Sequence, residues 1–569
     1  MTKEKTNSTN SVKPKVLIAD VMSSLALAVF EERGIEAIHP GKVSEQELFD
    51  MVGDFDGIAL RSSTQITEEL LSHATKVKVV GRAGIGVDNV DVPACTKRGV
   101  VVMNTPFGNA ITTAEHAMAM MLSLARHIPQ ANQSTHEGKW EKSKFMGMEL
   151  TGKLLGIIGA GNIGSIVAKK SIGYGLRAQA YDPFLTEERA DKIGVDKVDL
   201  DTLLTTSDII SLHVPKTPET ANIINASAIN KMKRGSLLIN CARGGLVDEL
   251  ALFAALKSEH IKGAALDVYE VEPAKENPLF GLPNIICTPH LGASTVEAQE
   301  KVAIQVAQQM SDYLLGGAIN NALNAPSLSA EEAKQLKPYL QLAQRLGSFV
   351  GQLTDDPIKS LTVTYGGDAN ALNVSPLTTQ VVQSLLEHHS SYVNSVNARE
   401  VAKERNIDLI EALREGKDEY PCRITVAVKT ESKTRSICGT LIQQRPRVID
   451  VKGIPLESEL GEHMLYITNQ DKPGVIGDLG TSAAVSNINI ANLHLGRKAN
   501  GGKAIALIEI DAQPSDDAMQ KLRALTNINT VSHTQLRPHE NPEHLVRPLL
   551  LDKHKKKTTQ LTQSPIPTS

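Results

Sequence analysis

The chain has 569 residues, 41% of them hydrophobic and 22% charged, which is too long for one core and suggests about three or four domains. A net charge of −4 with only 3% aromatic residues gives no reason to expect a nucleic-acid partner, which calls for a basic surface or stacking platforms. Cys95, Cys241, Cys287, Cys422 and Cys438 are scattered without a Cys-x-x-Cys pair, so no metal site is expected and a reducing, cytoplasmic setting is; no apolar run approaches the ~20 residues that cross a bilayer.

Residues 1 to 14 are polar, lack the apolar segment of a secretory signal and read as a disordered extension. From Lys15 short apolar strands alternate with amphipathic helices: VLIAD, a helix over Leu25 to Glu32, a strand over Ile35 to Ile38, a helix over Glu45 to Val52 and a strand over Gly57 to Leu60. That succession marks an α/β fold. Arg61 falls at a strand's carboxyl end, the edge where parallel sheets bind ligands. A second such junction, VKVVGRAGIGVDNVD, carries Arg82, Gly84 and Gly86 in a turn whose N–H groups can hold a small anion. Either arginine alone reads as a surface ion pair; two at strand mouths are candidates for holding an anionic substrate. MNTPFGN (103–109) is a turn, and Ile111 to Ile128 is a long apolar helix of core residues. Trp140, the only Trp, lies in the basic loop GKWEKSKFMG and reads as a packing anchor, or as a contact with a second subunit or the active site.

Lys153 to Asp182, KLLGIIGAGNIGSIVAKKSIGYGLRAQAYD, reads as strand, glycine turn, helix, strand. Gly159, Gly161 and Gly164 complete G-x-G-x-x-G: the first permits the turn, the second admits a pyrophosphate, the third lets the helix pack on its strand. Asp182 ends the second strand, where a carboxylate accepts from a ribose hydroxyl and repels a 2′-phosphate. With no Arg directly following it, NAD is favoured over NADP.

Later strand ends carry polar clusters: DIISLHVP with His213 and Pro215, NCARGG over Asn240 to Gly245, Asp267 and then Glu272, and TPHLGAST after Ile285 to Cys287. His213, Arg243, Glu272 and His290 therefore fall on four strand ends near the nicotinamide's place. Oxidising a hydroxyl needs a base for the O–H proton while hydride leaves for the cofactor; His290 titrates in the right range, with Glu272 to fix its tautomer. Arg243 can clamp a carboxylate and polarise the developing carbonyl. His213 reads as structural.

GRAGIGVDNVD, MNTP, GKWEKSKFMG, LGIIGAGNIG, NCARGG, LDVYEVEP and TPHLGAST, ordered between Arg61 and Thr295, resemble the D-isomer-specific 2-hydroxyacid dehydrogenases, in particular the long-form D-3-phosphoglycerate dehydrogenases. The resemblance implies Arg243, Glu272 and His290 as catalytic residues, Asp267 orienting the nicotinamide carboxamide, and Asn162 and Ile163 in the pyrophosphate turn. It extends the cofactor set to Val214, Pro215, Cys241, Ala242 and Gly292, and the substrate set to Ile85, Gly86 and Asn104 beside Arg61 and Arg82. It further implies NAD-dependent oxidation of 3-phospho-D-glycerate to 3-phosphohydroxypyruvate, the first step of L-serine biosynthesis, by a homodimer or homotetramer. The implied fold is a Rossmann-type cofactor domain (109–290) inserted in a split flavodoxin-like substrate domain (15–108 and 291–325), followed by two smaller α+β regulatory domains. A glyoxylate or hydroxypyruvate reductase of the same fold, or an NAD-sensing corepressor-like protein, are the alternatives.

Residues 326 to 458 show helices near Glu331 to Gly351 and Gln380 to Glu387 and strands LTVTYGG, RITVAVK, SICGTLI and RVIDVKG, with no catalytic cluster; they resemble the family's intervening domain. Residues 459 to 540 follow a βαββαβ order, ferredoxin-like, and N-Q-D-K-P-G-V-I-G resembles an ACT domain, which in this family senses serine. Asp471 and Asn489 would hold an effector between paired modules; an oligomerisation module without ligand is the other reading. Residues 541 to 569, with KHKKK, read as a disordered tail.

Overall fold

The computed structural model describes residues 13–41, 43–390, 392–416 and 419–536. Most of the N-terminal extension and all of the C-terminal tail lie outside the described residues.

Four sheets organise the chain. The first runs, in spatial order, Glu36–Ile38, Lys15–Ile18, Gly57–Leu60, Val79–Arg82, Val101–Asn104, all parallel. This is the flavodoxin-like 2-1-3-4-5 order. Its strands are apolar because helices cover both faces. One cover returns from far along the chain: Val302, Ala303, Val306, Ala307 and Met310 of the helix Val296–Gly316 share a core with Val16, Ile18, Val79 and Met103. At the strand mouths the buried Asp20 takes the N–H of Arg61 at 2.7 Å and the hydroxyl of Thr64 at 2.7 Å, fixing where Arg61 leaves the sheet.

The second sheet has seven parallel strands: Ile285–Cys287, Ile261–Leu266, Ser236–Asn240, Ile209–Leu212, Leu154–Ile158, Arg177–Tyr181, Asp196–Lys197. The chain reverses its winding between Leu154–Ile158 and Ile209–Leu212, and the crevice outside that point is where such sheets bind ligands. The helices Ala110–Ala125 and Asn162–Gly173 cover one face, and Leu200–Thr206, Ala226–Lys231 and Glu249–Lys257 the other. The long apolar helix foreseen from Ile111 to Ile128 is two helices, Ala110–Ala125 and Ile128–His136. His127 is left-handed (φ 52°), and Pro129, with no N–H to donate, can open a helix but not continue one.

The third sheet orders Asp408–Arg414, Ile358–Gly367, Cys422–Thr430, Thr434–Ile442, Arg445–Val451 and Ile454–Ser458. Its first pair is parallel and the rest antiparallel. The two edge strands were not foreseen. Asp408–Arg414 is exposed or half-buried along its length, so its sequence lacks an apolar alternation. The helix Ala330–Gln352, opened by a Ser329–Glu332 capping box, lies across this sheet.

The fourth sheet orders Ile490–Arg497, Lys503–Ile510, His463–Gln470, Ile528–Gln535, all antiparallel, with helices Val475–Val485 and Asp516–Arg523 against one face. This is the ferredoxin-like βαββαβ arrangement. Much of its other face is covered as well. Met464, Tyr466, Ile505 and Leu507 join Phe349, Val426 and Val448 in one core, with Tyr466 edge-on to Phe349 at 5.8 Å between centroids. The two C-terminal modules thus share a hydrophobic core. Phe349→Ala should cost about 3–5 kcal/mol and raise hydrogen exchange in the third and fourth sheets together; a response confined to one of them would contradict the shared core.

Candidate active site

The glycine turn is made by close approach. Gly159 has φ +96°, and a Cβ there would sit 2.6 Å from the His213 carbonyl and 2.7 Å from Val214 Cγ1. Gly164 lies so close to the Gly159 carbonyl that any side chain would overlap it. Gly161, the N-cap of the helix Asn162–Gly173, is the opposite case: a Cβ there would meet nothing within 4 Å. The turn is therefore packed solid behind and open in front, with helix N–H groups facing the opening, which fits a dinucleotide pyrophosphate. Asn162 and Ile163 open that helix. Asp182 accepts the Ala160 N–H at 2.9 Å, so the acid foreseen beside the ribose also fastens the glycine turn.

The loop after Ser236–Asn240 is shaped by Asn240, whose side chain accepts from Ala242 N–H and donates to the Arg243 carbonyl. Cys241 is buried beneath it, and burial pushes its thiol pKa far up, so it is inert. Arg243 crosses the cleft: its Nε donates to Asp88 Oδ2 at 3.1 Å and its Nη2 lies against Gly86, where a side chain would collide. On the far wall Asn104 donates to the Ile85 carbonyl at 2.6 Å and holds the glycine loop to the strand end.

Arg82 folds over Gly84, leaving its buried Nε with no hydrogen-bond partner among the described residues. Burial, the positive charge of Arg243 and, more weakly, that of Arg61 drop its pKa to about 10, against the opposing pull of Asp88 and Asp20. Three guanidiniums are thus within electrostatic reach of one another. Arg61 itself donates to the Val21 carbonyl at 3.4 Å.

His290 Nδ1 meets Glu272 Oε2 at 2.7 Å, and Glu272 Oε1 accepts the Tyr269 N–H at 2.9 Å. The hydrogen bond to Glu272 raises the pKa of His290 above its ordinary 6.5 despite partial burial. Burial pushes Glu272 up, but the bonds from His290 and Tyr269 outweigh it and hold the carboxyl low. His213 behaves oppositely. Its Nε2 pairs with Ser211 at 2.9 Å, its Nδ1 has neither solvent nor partner, and burial lowers it to about 4, the mark of a structural, neutral imidazole. By surface area the His213 residue is only partly covered, so the sealed Nδ1 atom is what decides this.

Asp267, foreseen beneath the nicotinamide, has a side chain 1% exposed. It accepts from Thr288 Oγ1 at 2.6 Å, Leu291 N–H at 2.7 Å and Gly292 N–H at 2.8 Å, and its visible work is to anchor the His290 loop. Val214 packs on Gly159, and Pro215 sits exposed just beyond. Asp88 and His116, which lies 3.2 Å from Asp267, were missed in the sequence. His116 is a polar residue on a helix otherwise apolar inward, and Asp88 follows the Gly84–Gly86 turn; those were the available signals.

Asp471 and Asn489 do not meet within one chain. Asp471 follows the strand His463–Gln470 and pairs with Arg497 at 2.9 Å; Asn489 precedes Ile490–Arg497, bonded to Asp511 at 2.8 Å. Those strands run parallel two positions apart in the sheet, so the residues sit at opposite ends.

A glycine turn shaped for a dinucleotide and a hydrogen-bonded His–Glu pair of a kind suited to proton transfer, on one sheet edge, fit a nicotinamide-dependent oxidoreductase. Residues 118–292 match the NAD binding domain of the D-isomer specific 2-hydroxyacid dehydrogenases, and residues 335–452 the intervening domain of D-3-phosphoglycerate dehydrogenase. The chain is 43% identical over 517 residues to D-3-phosphoglycerate dehydrogenase of Synechocystis sp., spanning 90% of this chain and 93% of that one. It is 41% identical over 519 residues to that of Bacillus subtilis, spanning 91% and 98%. A solved glyoxylate reductase from Paecilomyes thermophila matches at 28% identity with a TM-score of 0.51, over 55% of this chain and 98% of that one. The chain belongs to the D-isomer-specific 2-hydroxyacid dehydrogenase family, in its D-3-phosphoglycerate dehydrogenase branch.

His290 must be neutral to take a proton, and its pKa is raised. Oxidation should therefore rise with pH through an inflection above 6.5, the ordinary value. Glu272→Gln removes the charge that raises it, so the inflection should move down while kcat falls about 10²-fold or more; a pH profile unchanged in that variant would contradict the pair.

Proposed function

We propose that the chain oxidises 3-phospho-D-glycerate to 3-phosphohydroxypyruvate with NAD, the entry to L-serine synthesis. The observation that carries this reading is the convergence of Arg61, Arg82 and Arg243 on the cleft that holds the His290–Glu272 pair, with an Arg82 donor unused. A substrate with a carboxylate at one end and a phosphate at the other answers three guanidiniums better than a simple hydroxy acid does.

Bound NAD supplies the acceptor for the hydride. His290 takes the hydroxyl proton at Nε2, the nitrogen left free by its Nδ1 bond to Glu272, and Glu272 balances the imidazolium that results. Arg243 exchanges its exposed partner Asp88 for the substrate carboxylate, and polarises the carbonyl as it forms. Arg61, Arg82 and the N–H groups of Ile85 and Gly86 take the phosphate end, with Asn104 keeping that loop in place.

The working form is a homodimer or homotetramer in the cytoplasm. Trp140 (81% exposed), Met146 (78%), Phe107 (64%), Ile111 (54%) and Ile128 (54%) lie near one another in sequence around the helix Ala110–Ala125, and they stay largely uncovered among the described residues. A second copy would bury them. Among the described residues no helix is long and apolar enough to cross a membrane. The ACT-like module serves as a serine sensor: with Asp471 and Asn489 at opposite ends, one effector touches both only when two modules pair edge to edge, ferredoxin-like sheets side by side.

NADH formation from 3-phospho-D-glycerate at alkaline pH tests the reading, with serine added as an inhibitor in the same assay. Arg82→Ala should raise KM for the phosphorylated substrate about 10- to 100-fold with a smaller change in kcat. Silence toward 3-phospho-D-glycerate alongside good glyoxylate reduction would overturn the substrate.

A further inference from the structure

We propose that His116 is a positioning residue for the dehydrogenase reaction, acting through Asp267 to hold the loop that presents His290. The proposal rests on the reading of His290 as the base.

His116 projects from the helix Ala110–Ala125, whose buried residues are otherwise mostly Ala, Met and Leu. Its side chain is 19% exposed, with Nε2 3.2 Å from Asp267 Oδ1 and 3.4 Å from Thr288 Oγ1. Asp267 in turn grips three consecutive residues. Its main-chain carbonyl accepts the His290 N–H at 2.9 Å, and its carboxylate accepts those of Leu291 and Gly292. His290 needs that grip, because it has φ +56°, a left-handed conformation that is unfavourable for a non-glycine residue. Its ring reaches Glu272 at 2.7 Å from this backbone position.

A carboxylate buried this deeply stays ionised only while its donors are in place. His116 is the one basic side chain paired with it among the described residues. Replacing His116 by an apolar residue removes the basic side chain beside Oδ1 and the partner of Thr288, which donates to that oxygen, and so weakens the carboxylate's hold on Leu291 and Gly292. The loop then loses what keeps His290 left-handed, and the base no longer points where the hydroxyl proton lies. The pyrophosphate cradle at Gly159 to Gly164 is built from other elements, so the main hold on the cofactor stays in place even though Asp267 and Gly292 lie on the proposed nicotinamide side.

The experiment compares variants of the full-length enzyme in NADH formation and NADH titration. His116→Leu should lower kcat about 10- to 100-fold, as a misplacement near 1 Å does, with the NADH dissociation constant and both KM values changed less than about threefold. His116→Gln, whose amide can offer an N–H where Nε2 was, should recover most of the loss. In a His290→Ala background, His116→Leu should cause no further loss, because both act through the same group. Full kcat in His116→Leu, equal damage to kcat and NADH affinity, or a loss undiminished in the His290→Ala background would each overturn the proposal. Should His116→Leu fail to fold, Thr288→Val takes one donor from the same Oδ1 and should lower kcat several-fold; unchanged kcat there overturns the proposal too. The substrate reading fails separately: if the wild type turns over only unphosphorylated hydroxy acids, the same comparison is made with those.

Discussion

Arg82 keeps its guanidinium folded over Gly84, partly buried, within electrostatic reach of Arg243 and Arg61 and with its Nε unpaired. Burial of the guanidinium first, and the positive charges of Arg243 and Arg61 after it, disfavour its charged form, and the depressed Arg82 pKa records that cost. Only part of it is offset inside the chain, by Asp88 and Asp20. Arg61 and Arg82 sit at the mouths of the first sheet, Arg243 at the mouth of the second. An anion between them binds the two halves of the cleft to each other, so ligand recognition and cleft geometry become one problem. The parallel strands, the returning helix Val296–Gly316 and the Asp20 anchor are what hold the three arginines to face it.

The two histidines on the second sheet show how position decides chemistry. His213 has its Nδ1 sealed and its Nε2 on Ser211, and burial lowers it to about 4, so it stays neutral near pH 7 beside Val214 and the glycine turn. His290 stands half-exposed against a carboxylate and holds its proton more tightly than a free imidazole. That shift favours proton return in reduction and makes oxidation wait for higher pH, so the pair is poised for a reversible reaction.

Much of this was legible in the residues. Contiguous apolar strands with glycine-rich ends betrayed the two parallel sheets, because strands buried on both faces need no alternation. Arg243, Glu272 and His290 could be singled out because each comes within a few residues of a strand's carboxyl end, after Asn240, Leu266 and Cys287, and sheet topology puts such positions near the ligand edge. What stayed hidden depends on partners distant in sequence. Asp88 is 155 residues from Arg243, and nothing local marks it. His116 acquires meaning only through Asp267. The strand Asp408–Arg414 lies on a sheet edge with most of its surface exposed or half-buried, so the apolar signal fades; Ile454–Ser458 alternates buried and exposed residues but is five residues long and carries Pro455, which speaks against a strand. The common core of the two C-terminal modules was hidden for another reason: period-two patterning shows which residues share a face, not which face meets which neighbour.

That common core bears on regulation. Helix Ala330–Gln352 packs on the third sheet and touches the fourth through Phe349, so on the proposed reading of the ACT-like module as a serine sensor an effector has a packed route to the intervening domain. The intervening domain in turn seats Asn397 on the Lys97 carbonyl of the substrate domain. On the proposed function, everything at the front of the molecule rests on the three arginines recognising a phosphorylated acid. The direct measurement is the ratio of kcat/KM for 3-phospho-D-glycerate to that for D-glycerate in the wild-type enzyme. Two charge-assisted contacts to the phosphate predict a ratio of about 100 or more; a ratio near one would contradict the account.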